Sequence, residues 1–297
     1  MTDWTKGAGW IKGEIVPIAV AKIGVTDWGL THSDITYDVV PLWKGGLFRF
    51  DDYLTRFEAS MAALRMDIGM DRDAIKDALI ATIRKTGLQN AYVSMVASRG
   101  SPMIPGSRDP RDCANHFYAW VVPYVYVIPK EKSDKGATMW VSETTRRIPG
   151  DSVNPRAKNY HWGDFTQALF EAKERGFDTG CVLDHDDNMT EGPGFNVFII
   201  KDGKAITSDH GVLHGISRRT VLEICEELGI ETETRPLPIA EFFEADEVFL
   251  STSGGGIAPI RRVKDRVFSN DAPGTVTMRL YDRFQEWLMR DDLRTPI

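Results

Sequence analysis

Apolar residues recur at three- and four-residue spacing in two stretches of the first ninety positions. Leu54, Phe57, Met61 and Leu64 form one stripe, with Asp51 and Asp52 as candidate caps, and Ile75, Leu79 and Ile83 form a second, closed by Gly87. Both stripes predict amphipathic helices. Runs rich in branched and aromatic residues predict strands around them: Ile15 to Val25, Val39 to Trp43 and Leu47 to Phe50 on either side of Gly45-Gly46, Ala91 to Ser98, and Phe117 to Val127.

The segment 129–136 is polar and charged between apolar runs, and it reads as an interdomain linker. It separates a smaller N-terminal domain, 1–128, from a larger C-terminal one, 137–297. The second half predicts a strand from Ala137 to Glu143 and a helix near Asp164 to Arg175. A hairpin is expected around the acidic turn Asp184 to Asn188, then a helix from Ile216 to Leu228. A strand from Glu247 to Ser251 leads into Ser253-Gly254-Gly255-Gly256, and Val276, Leu280, Phe284 and Leu288 stripe a last helix. Strands and helices mix without internal repeat or regular βαβ alternation, so two α+β domains are expected.

A chain of 297 residues with 42% hydrophobic content can bury two cores, which excludes disorder as the main state. Its 36 basic and 43 acidic residues give a net charge of -7, which argues against nucleic acid or an anionic membrane as partner. Cys113, Cys181 and Cys225 are odd in number and lack C-x-x-C spacing, so they read as reduced packing thiols. The N-terminus lacks a signal-peptide pattern, and the most apolar run, Phe117 to Pro129, falls short of the roughly 20 residues that span a bilayer. A cytoplasmic location is expected.

Candidate chemistry begins at Lys158. Tyr160, Trp162 and Phe165 follow it, and apolar surroundings strip an ammonium of hydration, favouring the neutral nucleophile that Schiff-base chemistry needs; a solvated surface lysine is the plainer reading. Glu191 runs into the apolar stretch Val197 to Ile200. Either it caps a hairpin end, or it faces a protonated pyridine nitrogen and keeps that ring cationic. Gly211 to Thr220 is a glycine-punctuated loop entering a helix near Ile216, where helix amides and the Ser217 hydroxyl attract anions. Thr252-Ser253-Gly254-Gly255-Gly256 offers a second open, hydroxyl-rich turn. His210 and His214 are four apart, but Gly211 and Gly215 put them in a loop, and Asp184, Asp186 and Asp187 lack an EF-hand's spacing. No metal is expected.

The order of motifs carries a resemblance. His32 to Val39, Leu54 to Ser60, Lys158 to Asp164, Thr190-Glu191-Gly192, Gly211 to Arg218 and Gly254 to Pro259 together resemble the fold-type IV pyridoxal-phosphate aminotransferases over nearly the whole chain, most similarly the (R)-selective amine transaminases. The resemblance implies a two-domain α+β fold and a homodimer with active sites between the domains near the subunit interface. It assigns Lys158 as the Schiff-base lysine and proton carrier, and Glu191 as partner of the pyridine nitrogen. Arg56, the amides of Ile216 and Ser217, the Ser217 hydroxyl and Thr252 or Ser253 would bind the cofactor phosphate. Tyr37, Val39 and Trp162 would line the substrate pocket.

Two departures bear on substrate. Amine-specific relatives commonly place an arginine in the loop after Arg99-Gly100, where this chain has Pro105, so Arg108 is the candidate carboxylate partner. Where those relatives carry an acidic residue on the preceding strand, this chain has Ser94. The implied reaction moves an amino group from an (R)-primary amine or D-amino acid to a keto acid such as pyruvate. The alternatives are a branched-chain L-amino-acid aminotransferase and an aminodeoxychorismate-lyase-type enzyme. A cofactor-binding protein without turnover is the non-enzymatic reading.

Overall fold

The computed structural model describes residues 3–269 and 271–297, which fall into two compact units. The first takes in the chain as far as Val125 together with Ala157–Tyr160 and Arg290–Ile297. The second takes in Tyr126–Arg156 and His161–Met289.

Among the described residues, the first unit holds a seven-stranded sheet in the order Arg294–Pro296, Gly46–Phe48, Ile35–Trp43, Ala91–Ser98, His116–Pro123, Ala8–Ile11, Glu14–Pro17. Its neighbouring strands all run antiparallel. The helices Phe50–Ala63 and Arg72–Thr86 pack on it and bury the expected Leu54, Phe57, Met61, Ile75, Leu79 and Ile83. The second helix starts where Asp71 accepts the Ala74 amide at 2.8 Å and stops at Gly87, whose φ of 70° closes the last turn.

The start of the first helix differs from expectation. Its cap is Arg49, in the left-handed region at φ 51°, and Asp51 and Asp52 lie in the first turn. The strand Gly46–Phe48 passes through this one residue into the helix, leaving no extended position for an acidic cap. The two carboxylates still sit beside the helix's positive end. Prolines shorten two strands: the run from Ile15 ends its strand at Pro17 and enters a 3-10 turn at Ile18–Val20, and the run from Phe117 stops at Pro123. Proline offers no N–H to continue a ladder.

The second unit is built on a mixed sheet in the order Thr232–Thr234, Lys204–Thr207, Phe195–Lys201, Glu247–Thr252, Gly256–Val263, Ala137–Arg146, Thr179–Leu183, Asn188–Met189, Leu237–Pro238. Ala137–Arg146 runs parallel to both its neighbours. The helix Gly163–Glu174 covers that parallel region, while Ile216–Glu227 and Thr275–Trp287 pack together against the antiparallel part. Residues such as Val197, Ile199, Leu250 and Ile260 fill its core. The expected hairpin around 184–188 is present, with the Asp184 amide donating to the Asn188 carbonyl at 3.0 Å. All three cysteines are buried and unpaired, and burial pushes Cys225 up to about 12. Among the described residues, no helix is long and apolar enough to cross a membrane.

The division of the chain departs from the expected boundary. The segment 129–136 folds into the short helix Lys130–Ser133 inside the second unit, and the unit changes at 125/126. Lys158, expected in the C-terminal domain, packs with the first unit. The reason is backbone pairing, since Asn159 forms a β-bridge with Thr36 and extends the edge of the strand Ile35–Trp43.

Candidate active site

In the first unit, the structure brings Tyr37 against Lys158. Its carbonyl accepts from the Thr36 hydroxyl at 2.7 Å and the Tyr37 amide at 3.2 Å, and its amide donates to Ser60 Oγ at 3.3 Å. Its side chain is half-buried, with Nζ 4.4 Å from the centre of the Tyr37 ring. Tyr160 packs on the same ring, centroids 4.3 Å apart. The surroundings are thus aromatic, as expected, but the Tyr37 ring face attracts the cation that burial disfavours.

Strand alternation places Tyr37 and Val39 on one sheet face, and the antiparallel register sets Val96 opposite Tyr37 and Ser94 opposite Val39. On the next strand Trp120 faces Ser94 and Tyr118 faces Val96. Tyr92, Tyr118 and Trp120 were not singled out from sequence, although the two-residue spacing of Tyr118 and Trp120 marks a shared face. Burial raises the phenol pKa values of Tyr92, Tyr118 and Tyr160, keeping them neutral hydrogen-bonding groups at neutral pH. Arg56, on the helix above the opposite face, forms a two-pronged pair with Asp38, Nε to Oδ2 at 2.8 Å and Nη2 to Oδ1 at 2.6 Å. Burial alone would lower its pKa, but the Asp38 carboxylate outweighs that and raises it. Arg108 is exposed in the loop that joins Ala91–Ser98 to His116–Pro123.

In the second unit Glu191 is 6% exposed and held on several sides. Its Oε2 accepts from the Leu213 amide at 3.0 Å and from Asn196 Nδ2 at 3.4 Å, while Oε1 accepts from Arg147 Nη2 at 3.2 Å. Asn196 is its cross-strand neighbour and also donates to the Leu213 carbonyl at 2.9 Å. The sequence reading missed both Arg147 and Asn196, whose roles come from pairing distant in the chain.

Ile216 and Ser217 begin the helix Ile216–Glu227, both buried, with Gly215 at the cap and no side chain capping it. A side chain at Gly215 would crowd the amide oxygen of Asn196. The first-turn amides therefore keep their hydrogen-bonding capacity for an anion. Thr252 ends its strand, and Ser253 opens the turn that follows. The Thr252 hydroxyl already donates to the Gly194 carbonyl at 2.8 Å and accepts the Gly254 amide at 3.2 Å. Trp162 stands at the start of the helix Gly163–Glu174, edge-on to Phe165, and lines an apolar groove of about 340 Å³ with Leu169, Phe170 and Pro193. His210 and His214 lie in a loop, and among the described residues no group of three or more His, Cys, Asp and Glu is placed to hold a metal ion. Lost hydration together with the Arg156 and Arg218 guanidiniums pushes His214 down to about 4, so it is neutral at physiological pH.

Residues 36–263 match the family model described as amino-transferase class IV, a span that includes Tyr37, Arg56, Lys158, Glu191, Ser217 and Thr252. The chain belongs to the class IV aminotransferases. This class IV aminotransferase is 28% identical over 284 residues to the branched-chain-amino-acid aminotransferase of Salmonella typhimurium, covering 93% of this chain and 91% of that protein. To the enzyme of the same name from Escherichia coli K12 it is 27% identical, with the same coverage. The solved branched-chain amino acid aminotransferase of Thermobaculum terrenum, in its PLP-form, superposes with a TM-score of 0.86 at 26% identity over 100% of this chain and 99% of that one. All three carry the branched-chain name. None of them carries the name of an (R)-selective amine transaminase.

The residues present fit pyridoxal phosphate on structural grounds. Among the described residues four buried side-chain atoms have no hydrogen-bond partner, and two of them, Ser251 Oγ and Arg218 Nε, are each next in sequence to a residue assigned to the phosphate, Thr252 and Ser217. The uncapped helix start and these orphaned groups are features that an anion would satisfy.

Proposed function

We propose that this class IV aminotransferase uses pyridoxal phosphate to move the amino group of a branched-chain L-amino acid to a keto acid. The observation that carries this reading is the anchoring of Lys158. Three hydrogen bonds fix its backbone to Thr36, Tyr37 and Ser60, and its amine lies against an aromatic ring. A surface lysine needs no such fixation. The names of the relatives support the donor class.

When bound, pyridoxal phosphate supplies a carbonyl carbon that an amine can capture and a cationic ring that takes up electrons from the substrate's α-carbon. Lys158 would hold the cofactor covalently and carry a proton at Nζ once the substrate amine replaces it. Glu191 would accept the N–H of the ring nitrogen. Arg56, the Ile216 and Ser217 amides and the Ser217 hydroxyl would hold the phosphate. With Thr252 Oγ1 donating to Gly194, the Thr252 hydroxyl must turn to join them, and Ser253 is the alternative. Tyr37, Val39 and Trp162 would contact substrate, and Arg108 would receive its carboxylate. The active enzyme would be a homodimer.

A donor panel tests the reading. L-leucine, L-valine, D-alanine and an (R)-configured arylalkylamine are each offered with pyruvate and with 2-oxoglutarate, aminodeoxychorismate is offered without an acceptor, and the products are resolved by chirality. Fastest turnover of L-leucine or L-valine is expected. Exclusive turnover of the D-amino acid or the (R)-amine would transfer the assignment to the amine and D-amino-acid enzymes, and pyruvate release from aminodeoxychorismate alone would transfer it to the lyases.

A further inference from the structure

Arg147 lies just beyond the strand Ala137–Arg146, 7% exposed, with each guanidinium nitrogen engaged. Nη1 donates to Asp164 Oδ2 at 2.7 Å, Nη2 to Glu191 Oε1 at 3.2 Å, and Nε to the Gly211 carbonyl at 3.3 Å. Its Cζ lies over the Phe165 ring, 4.4 Å from the centroid. One cation is therefore shared between two buried carboxylates, at unequal distances.

The inequality has a chemical meaning. Asp164 also accepts the Ile148 amide at 3.0 Å and the Phe165 amide at 2.8 Å, so its charge is well compensated and it fixes the guanidinium in place. Glu191 receives the longer bond. The three groups carry one surplus negative charge, and Glu191 is also held by the Leu213 amide at 3.0 Å and Asn196 Nδ2 at 3.4 Å. A buried surplus charge is costly unless a cation completes it. A protonated heteroaromatic nitrogen has the chemistry of such a cation.

We propose that Arg147, anchored by Asp164, is a positioning residue that keeps Glu191 ionised and aimed, and thereby sets the protonation state of the cofactor's ring nitrogen. This rests on the pyridoxal-phosphate reading above. Without the guanidinium, a buried carboxylate and a pyridinium exchange their proton to become a neutral acid and a neutral pyridine, because low dielectric favours the uncharged pair. With it, the proton stays on the ring.

The test is nitrogen-15 NMR of cofactor labelled at the ring nitrogen, bound to purified holoenzyme without substrate. The parent should show a pyridinium resonance. Arg147→Met should move it to the neutral-pyridine position, and Arg147→Lys, which restores the charge, should bring it back. Arg147→Gln carries the same expectation as methionine and keeps a donor for Asp164, so it stands in if the methionine variant does not fold. Glu191→Gln is the control for the underlying reading. A pyridinium signal in Glu191→Gln overturns the assignment of Glu191 itself, whereas a neutral ring in Glu191→Gln with a pyridinium in both neutral Arg147 variants overturns the role of Arg147 alone.

Discussion

The Lys158 amine lies 4.4 Å from the centre of the Tyr37 ring, the residue whose own amide donates to the Lys158 carbonyl. One residue thus fixes both the backbone and the charged end of the lysine. A cation over an aromatic face gains about 0.5–2 kcal/mol. Tyr37→Leu should therefore enlarge the neutral share of the amine at pH 7 and speed covalent capture of pyridoxal phosphate several-fold, while Tyr37→Phe leaves it near parent. Stopped-flow absorbance on cofactor-free protein checks this, and equal rates for the leucine variant would remove the ring from the account.

The Arg56–Asp38 pair sets the second expectation. A hydrogen bond to a charged group contributes about 1.5–3 kcal/mol, so Arg56→Ala should raise the dissociation constant for pyridoxal phosphate by at least tenfold. Asp38→Asn should weaken binding too, since the two bonds at 2.8 and 2.6 Å orient the guanidinium. Equilibrium dialysis reads both. Parent affinity in Arg56→Ala would exclude the residue from phosphate binding.

Ser217 and Thr252 are expected to differ in weight. The Thr252 hydroxyl is already used at 2.8 Å by the Gly194 carbonyl, whereas Ser217 sits at an uncapped helix start. Ser217→Ala should lose about 1 kcal/mol of cofactor affinity, and Thr252→Val should instead lower thermal stability, because it removes the donor to the Gly194 carbonyl. The reverse pattern would make Thr252 the phosphate ligand.

Acid stability should depend on Glu171. Burial alone would push its carboxyl up, but donors from Ser142 at 2.6 Å, Trp140 at 3.0 Å, the Glu143 amide at 3.1 Å and Thr144 at 3.1 Å overcome this and hold it at about 2. A carboxylate with a lowered folded pKa stabilises the protein above its unfolded value of about 4.5, and that contribution fades as pH falls toward 2. It amounts to roughly 3 kcal/mol at neutral pH. Denaturant unfolding of Glu171→Gln should show lower stability at pH 7 and a shallower loss between pH 5 and 3. A parental slope would place acid sensitivity elsewhere.

Local patterns were legible in the sequence where one element's own residues decided them. The stripe Ile75, Leu79, Ile83 with Gly87 marks its helix to the last turn, and the turn at 184–188 is a hairpin as its residues imply. Elements decided by partners far away were not. The strand-like edge at Asn159 exists because Thr36 pairs with it across more than a hundred residues, so Lys158 falls in the first unit although its sequence position suggests the second. The same holds in the candidate site: Glu191 stands out beside its glycine, but the residues that hold it, Arg147 and Asn196, look like an ordinary cation and amide until folding closes the distance.

The central claim is that Lys158 is the covalent anchor of pyridoxal phosphate. Holoenzyme is reduced with borohydride, digested and mapped by mass spectrometry. The account predicts a phosphopyridoxyl group on the peptide containing Lys158, with Lys158→Ala unlabelled and its turnover lower by several orders of magnitude. A label on any other lysine, or parent-level turnover in Lys158→Ala, would contradict it.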